Sequence, residues 1–153
     1  MRQLLSRRAR LIDGKHWDEL EKLYADDVPA HHLGTHSNKA LVTEVAKRLE
    51  GVRSIHQLHL PEISLISATT ARAITPMEDL LLWEENGVGH WAHGYRHYHQ
   101  GFTKVGRGWV ISDHRLTRQY SRQGTGDCDF TAAAPQGSVR FAMGITPLPR
   151  DFP

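Results

Sequence analysis

Apolar residues return every three to four positions through the first fifty residues and then switch to alternation, so the chain reads as helices followed by strands. Leu5, Ala9 and Ile12, flanked by Leu4 and Leu11, mark a helix that runs to Asp13, where Gly14 supplies a natural stop. Trp17, Leu20, Leu23 and Tyr24 mark a second, short amphipathic helix, closed by Asp26, Asp27 and Pro29. Alternation then predicts a strand over 28–33, with Val28, Ala30 and His32 on one face and His31 on the other. Leu41, Val45 and Leu49 form the buried stripe of a third helix, which begins at Ser37 or Asn38 and ends before Gly51.

Residues 55–66, 71–83, 89–105 and 109–119 read as four strands, separated by Ala68-Thr69, by Asn86-Gly87 and by Gly106-Arg107-Gly108. Pro76, inside the second of these, implies a bulge or an edge. Helices first and an antiparallel meander afterwards predict an α+β fold, a cone in which one curved sheet wraps the N-terminal helices. The 153 residues suit one domain over 1–122, followed by a Gly/Ala/Pro-rich extension over 123–153. Phe130, Val139, Phe141 and Met143 make that extension too apolar for a solvated linker, which predicts that it packs on the body or on a partner subunit.

Charge removes some classes of function. The formal net charge is +2 and the basic residues are scattered among acids, so the chain lacks the electrostatic footprint of nucleic-acid binding. No apolar run approaches the roughly 20 residues that span a bilayer, and the arginines after Met1 are not followed by an apolar signal core. A cytoplasmic protein without membrane contact is expected. The single cysteine, Cys128, has no partner within the chain.

The number that changes the picture is 11 histidines. Histidine titrates near neutral pH, binds metals, and is tolerated half-buried in strands. His90, His93, His97 and His99 crowd one strand, where a His-x-His pair can ligate a transition metal. No Glu, Asp or Cys follows at a familiar ligand spacing, so neither a metal nor a cofactor is expected. His56 shares a strand face with Leu58 and Leu60, and Gln57 and His59 share the other. Asp13, four residues after Ala9, ends the first helix, where burial and the helix dipole would both push its pKa upward. As a residue before glycine it is equally suited to holding the turn.

Ile12-Asp13-Gly14-Lys15-His16-Trp17, Tyr24-Ala25-Asp26-Asp27-Val28, Ile55-His56, Pro61-Glu62-Ile63 and Gly108-Trp109-Val110-Ile111, in this order and spacing, resemble the SnoaL-like branch of the nuclear transport factor 2-like superfamily. The resemblance runs from Leu4 to Arg118. It implies enzymes such as scytalone dehydratase, bile-acid dehydratase, hexachlorocyclohexane dehydrochlorinase, polyketide cyclases and ketosteroid isomerase, and also members without chemistry. On that pattern His56 is a general base and Asp13 orients it, while His32 stands where a pocket tyrosine polarises the substrate carbonyl. Trp17, Leu58, Leu60, Met77, Tyr98 and His114 are then expected to line a hydrophobic pocket. The implied activity is that of a lyase, with isomerase, cyclase and non-catalytic binding domain as rivals. Its substrate would be a small polyketide-, terpenoid- or steroid-like metabolite, and its assembly a homodimer through the outer sheet face. One departure stands out: relatives carry a tyrosine about one turn before the aspartate, and here Arg8 takes that place.

Overall fold

The structure, a computed structural model, describes residues 1–126. The first helix, α1 (Arg2–Asp13), buries Leu5, Ala9, Leu11 and Ile12 on its apolar stripe, and Arg8 with them. It ends in a Schellman turn, with the Lys15 N–H bonded to the Ile12 carbonyl and the His16 N–H to that of Leu11. The left-handed residue of this turn is Lys15, at φ +59°, while Gly14 stays right-handed at φ −80°. A Cβ at Gly14 would stand 2.6 Å from the ring of the exposed His16, which would have to turn aside.

α2 (Trp17–Glu21) is short and buries Leu20, with Leu23 and Tyr24 buried just beyond it. α3 (Asn38–Arg48) is capped by Ser37, whose hydroxyl accepts from the Ala40 N–H and contributes about 1 kcal/mol. The expected strand over 28–33 does not form. There the Ala30 carbonyl accepts from Leu33 and Gly34 in a local turn, leaving Ala30 only isolated bridges to Thr35 and His114.

Five strands follow: β1 (Arg53–Leu58), β2 (Glu62–Leu65), β3 (Thr70–Glu85), β4 (Val88–Val105) and β5 (Gly108–Thr125). The stretch read as one strand over 55–66 is two, broken around Pro61, and both pieces pair antiparallel with the same side of β3. β1 stops opposite Met77 and β2 starts opposite Ile74. Pro76 falls in that gap. Its carbonyl accepts from the His59 N–H, so its nitrogen faces the break and no ladder bond is lost. Asn86 and Gly87, at φ +54° and +76°, make the tight β3–β4 hairpin that their sequence predicts.

The α+β class holds, but the cone does not. The strand order is β1-β3-β4-β5 with β2 beside β3, an open antiparallel sheet with free edges and no closure around the helices. α1 lies against β1, and α2 packs on α1 and α3. Alternation dictates which face of a strand is buried and says nothing about curl, which depends on bulges. The two register shifts present, between Tyr95 and Arg96 and between Gly101 and Phe102, bend β4 against β5 without closing the sheet. The core between helices and sheet centres on Leu20, Val28, Leu41, Phe102 and Ile111, all essentially inaccessible. The extension over 123–153 lies outside the described residues except for its first four, of which 123–125 complete β5.

Candidate active site

The end of α1 and the middle of β1 bring Asp13 and His56 together across 43 positions of sequence. The His56 Nδ1 lies 2.6 Å from Asp13 Oδ1, and the His56 backbone N–H donates to Oδ2 at 2.8 Å. Ser54, two residues earlier on the same face of β1, donates its hydroxyl to Oδ1 at 3.0 Å. These bonds fix both side chains, and with Nδ1–H donating to the carboxylate, Nε2 of His56 carries the free lone pair.

The expected upward shift at Asp13 is reversed. Burial does raise its pKa, but the hydrogen bonds from the His56 ring and backbone, the imidazole charge and the Ser54 hydroxyl outweigh it and hold the carboxyl below its ordinary value. The pair is half-sheltered, with side-chain exposures of 26% for Asp13 and 9% for His56. A groove of about 560 Å³ between α1 and β1 reaches it, lined among others by Ala9, Arg10, His16 and Leu58.

Next to His56 on the sheet stands Asp79 of β3, its register partner, in a buried ion pair with Arg96 of β4 at 2.7 Å. Gly94 leaves the room for this pair. A Cβ at that position would stand 2.5 Å from Arg96 Nη2 and 2.6 Å from Asp79 Oδ1.

A second polar cluster lies deeper. Arg8 donates from Nε to the Tyr24 hydroxyl at 2.5 Å, meets His114 Nε2 at 3.0 Å and lies over the Tyr98 ring at 4.5 Å. The His32 ring packs against that of His114, 5.1 Å between centroids. Burial, and then the Arg8 charge, push His32 down to about 4 and His114 well below its ordinary value, so both are neutral near pH 7. Burial opposes the Arg8 charge, yet the two tyrosines raise its pKa further, and the guanidinium stays protonated. Burial likewise raises Tyr24 against the pull of Arg8. Among the described residues no hydrogen bond joins this cluster to Asp13 and His56.

The other expected site residues are distributed unevenly. Leu58 lines the groove beside His56, and Met77 is buried opposite Leu58 on β3. Tyr98, His114 and the half-buried His32 belong to the Arg8 cluster, while His31 faces solvent and bonds Asp113 at 3.0 Å. Leu60 is a correction: it is 83% exposed, because β1 ends at Leu58 and the alternation that would place Leu60 beside His56 ends with it. Trp17 is another, lining a separate groove of about 620 Å³ with Lys15 and Leu49. On the histidine-rich strand His93 bonds Glu78 and His99 bonds Thr117, and among the described residues no three ligating side chains are placed to hold a metal ion. Sequence reading passed over Ser54 and Lys15. Ser54 was visible as the inward residue two before His56, and Arg8 as a charge on the Leu5–Ile12 stripe.

The arrangement, an α+β domain whose first helix lies on an antiparallel sheet and delivers an aspartate to a strand histidine, agrees with the nuclear transport factor 2-like superfamily, to which the family match assigns the chain. Within it, the SnoaL-like domain family matches residues 1–115, and the chain belongs to that family. Solved structures agree on the fold. A candidate scytalone dehydratase from Novosphingobium aromaticivorans superposes with a TM-score of 0.70 at 18% identity, over 79% of this chain and 83% of that one. A type 2 hexachlorocyclohexane dehydrochlorinase gives 0.69 at 16%, over 88% and 90%. A Mycobacterium tuberculosis protein of unknown function gives 0.64 at 15%, over 77% and 69%. Identities this low carry the fold and not the reaction. No helix among the described residues is long and apolar enough to cross a membrane.

Proposed function

We propose that the protein is a cofactor-independent, dehydratase-like lyase acting on a small hydrophobic metabolite of the polyketide, terpenoid or steroid-like kind. The observation that carries this reading is the Asp13–His56 pair, at 2.6 Å, on the wall of a groove large enough for such a molecule. Nε2 of His56 takes a proton from the carbon beside a carbonyl. The electron pair left behind forms the carbon–carbon double bond as hydroxide leaves, and the imidazolium returns its proton to that hydroxide to make water. Asp13 holds the ring in the productive tautomer and stabilises the transient charge. His32, kept neutral by burial, stands with His114 and not among the residues lining this groove, so the carbonyl role that the resemblance implies for it is not assigned. The SnoaL-like family match, and the names of the dehydratase and dehydrochlorinase neighbours that share the fold, agree with a lyase.

Turnover of β-hydroxy ketones, followed by loss of water and by exchange of the neighbouring C–H in heavy water, tests the reading. His56→Ala should lower the rate by roughly 10²–10⁴-fold. Asp13→Asn should lower it severely while the circular dichroism spectrum stays native. Wild-type rates in both variants would make the pair structural. An isomerase or cyclase begins with the same proton removal, so exchange without water loss would move the protein to that class, and binding without exchange would make it a binding domain.

A further inference from the structure

The turn after α1 holds a lysine in a conformation that its side chain disfavours, and that side chain leads to the catalytic pair. Lys15 occupies the left-handed position of the Schellman turn at φ +59°, where glycine is the usual residue. The chain does have a glycine nearby, one residue too early for the task. A strained side chain persists where something else holds it, and such strain gathers at functional sites. Here Lys15 Nζ donates to Ser54 Oγ at 3.1 Å, and Ser54 Oγ lies 3.0 Å from Asp13 Oδ1. An ammonium only donates, and a hydroxyl has a single hydrogen. With Lys15 filling a lone pair of Ser54, the hydroxyl hydrogen is committed to Asp13.

We propose that Lys15 is a positioning residue of the site, which orients the Ser54 hydroxyl onto Asp13 and keeps that carboxylate ionised as the anchor of His56. The assignment of a catalytic task to it rests on the dyad reading above. Ser54 is 5% exposed and Lys15 half-buried, so the link is made at the edge of the core, and Lys15 Nζ lies 5.7 Å from the centre of the Trp17 ring. Burial lowers the Lys15 pKa and the Asp13 charge opposes that. The other groups facing Asp13 are His56 from β1 and, along the groove, Arg10 and His16. Asp79, beyond His56, is already neutralised by Arg96. Lys15 thus reaches the Asp13 carboxylate through Ser54, alongside the direct bond from the His56 ring.

The test needs no substrate. The Asp13 carboxyl is titrated by carbon NMR at low salt in wild type, Lys15→Met and Lys15→Gly. Both variants should titrate at higher pH than wild type, by roughly half a unit or more. Lys15→Gly, freed of the left-handed strain, should melt at or above the wild-type temperature while sharing that shift, which a purely structural role would not produce. Unchanged midpoints in both variants would reduce Lys15 to a surface charge. Loss of catalysis in His56→Ala is read separately, so failure of the dyad and failure of the relay are distinguishable.

Discussion

Gly94 is a residue whose missing side chain is what matters. The Asp79–Arg96 pair occupies the place of its Cβ, and both partners are about nine-tenths buried, so neither swings away without leaving an unpaired charge inside. Gly94→Ala should therefore destabilise the fold by roughly 1–3 kcal/mol despite the better strand propensity of alanine, as read by denaturant unfolding. A stable alanine variant would mean that the pair relocates freely. Residues of this type explain what the sequence withheld. Asp13 and His56 were legible as a pair through the resemblance, whereas their neighbours alone placed each on a face and left Asp13 equally suited to holding the turn. The places of Arg8 and Ser54 were legible too, but what Arg8, Ser54 and Lys15 do was not, because no motif names their partners, which stand 106, 41 and 39 positions away. The direction of the Asp13 shift was misread for the same reason: dipole and burial are local, and the opposing hydrogen bonds are not.

At the scale of elements, the long periodic segments were legible and the interrupted ones were not. α1, α3 and the β3–β4 hairpin follow their sequence signals closely. The segment 28–33 alternates like a strand, yet turn hydrogen bonds to Ala30 win because it has no full-length neighbour to pair with. On the sheet face away from the helices, Tyr95 and Tyr120 are 40% and 59% exposed, beside His93, His97 and Trp91. We propose that this face joins two copies of the chain. Light scattering should give a dimer at micromolar concentration and a monomer for Tyr95→Glu; a wild-type monomer would remove the proposal.

For the whole molecule, the neutral histidines around Arg8 set the response to acid. In the unfolded chain they take up protons near 6.5, whereas folded His32 waits until about 4 and burial holds His114 well below its ordinary value too. Between those values the unfolded state binds more protons. Stability is therefore full above about 6.5 and declines as pH falls, with Asp13 adding its share only below its ordinary 3.8. The melting temperature should be flat near neutrality and drop toward pH about 4, and less steeply in His32→Phe. Equal melting at pH about 5 and 7 would show that the histidines charge inside the fold.

The bonds of α1 also impose an order in time. This helix is synthesised before the strands, yet its fixed partners are His56 and, 106 positions on, His114 in β5. A helix winds in about a microsecond, while a meander of long strands takes roughly milliseconds to seconds to register. An element made before its partners is therefore among the last to be anchored, and a half-assembled chain with every helix wound has no acid–base pair. Recovery of activity on refolding should follow the slowest sheet-forming phase, not the return of helical signal.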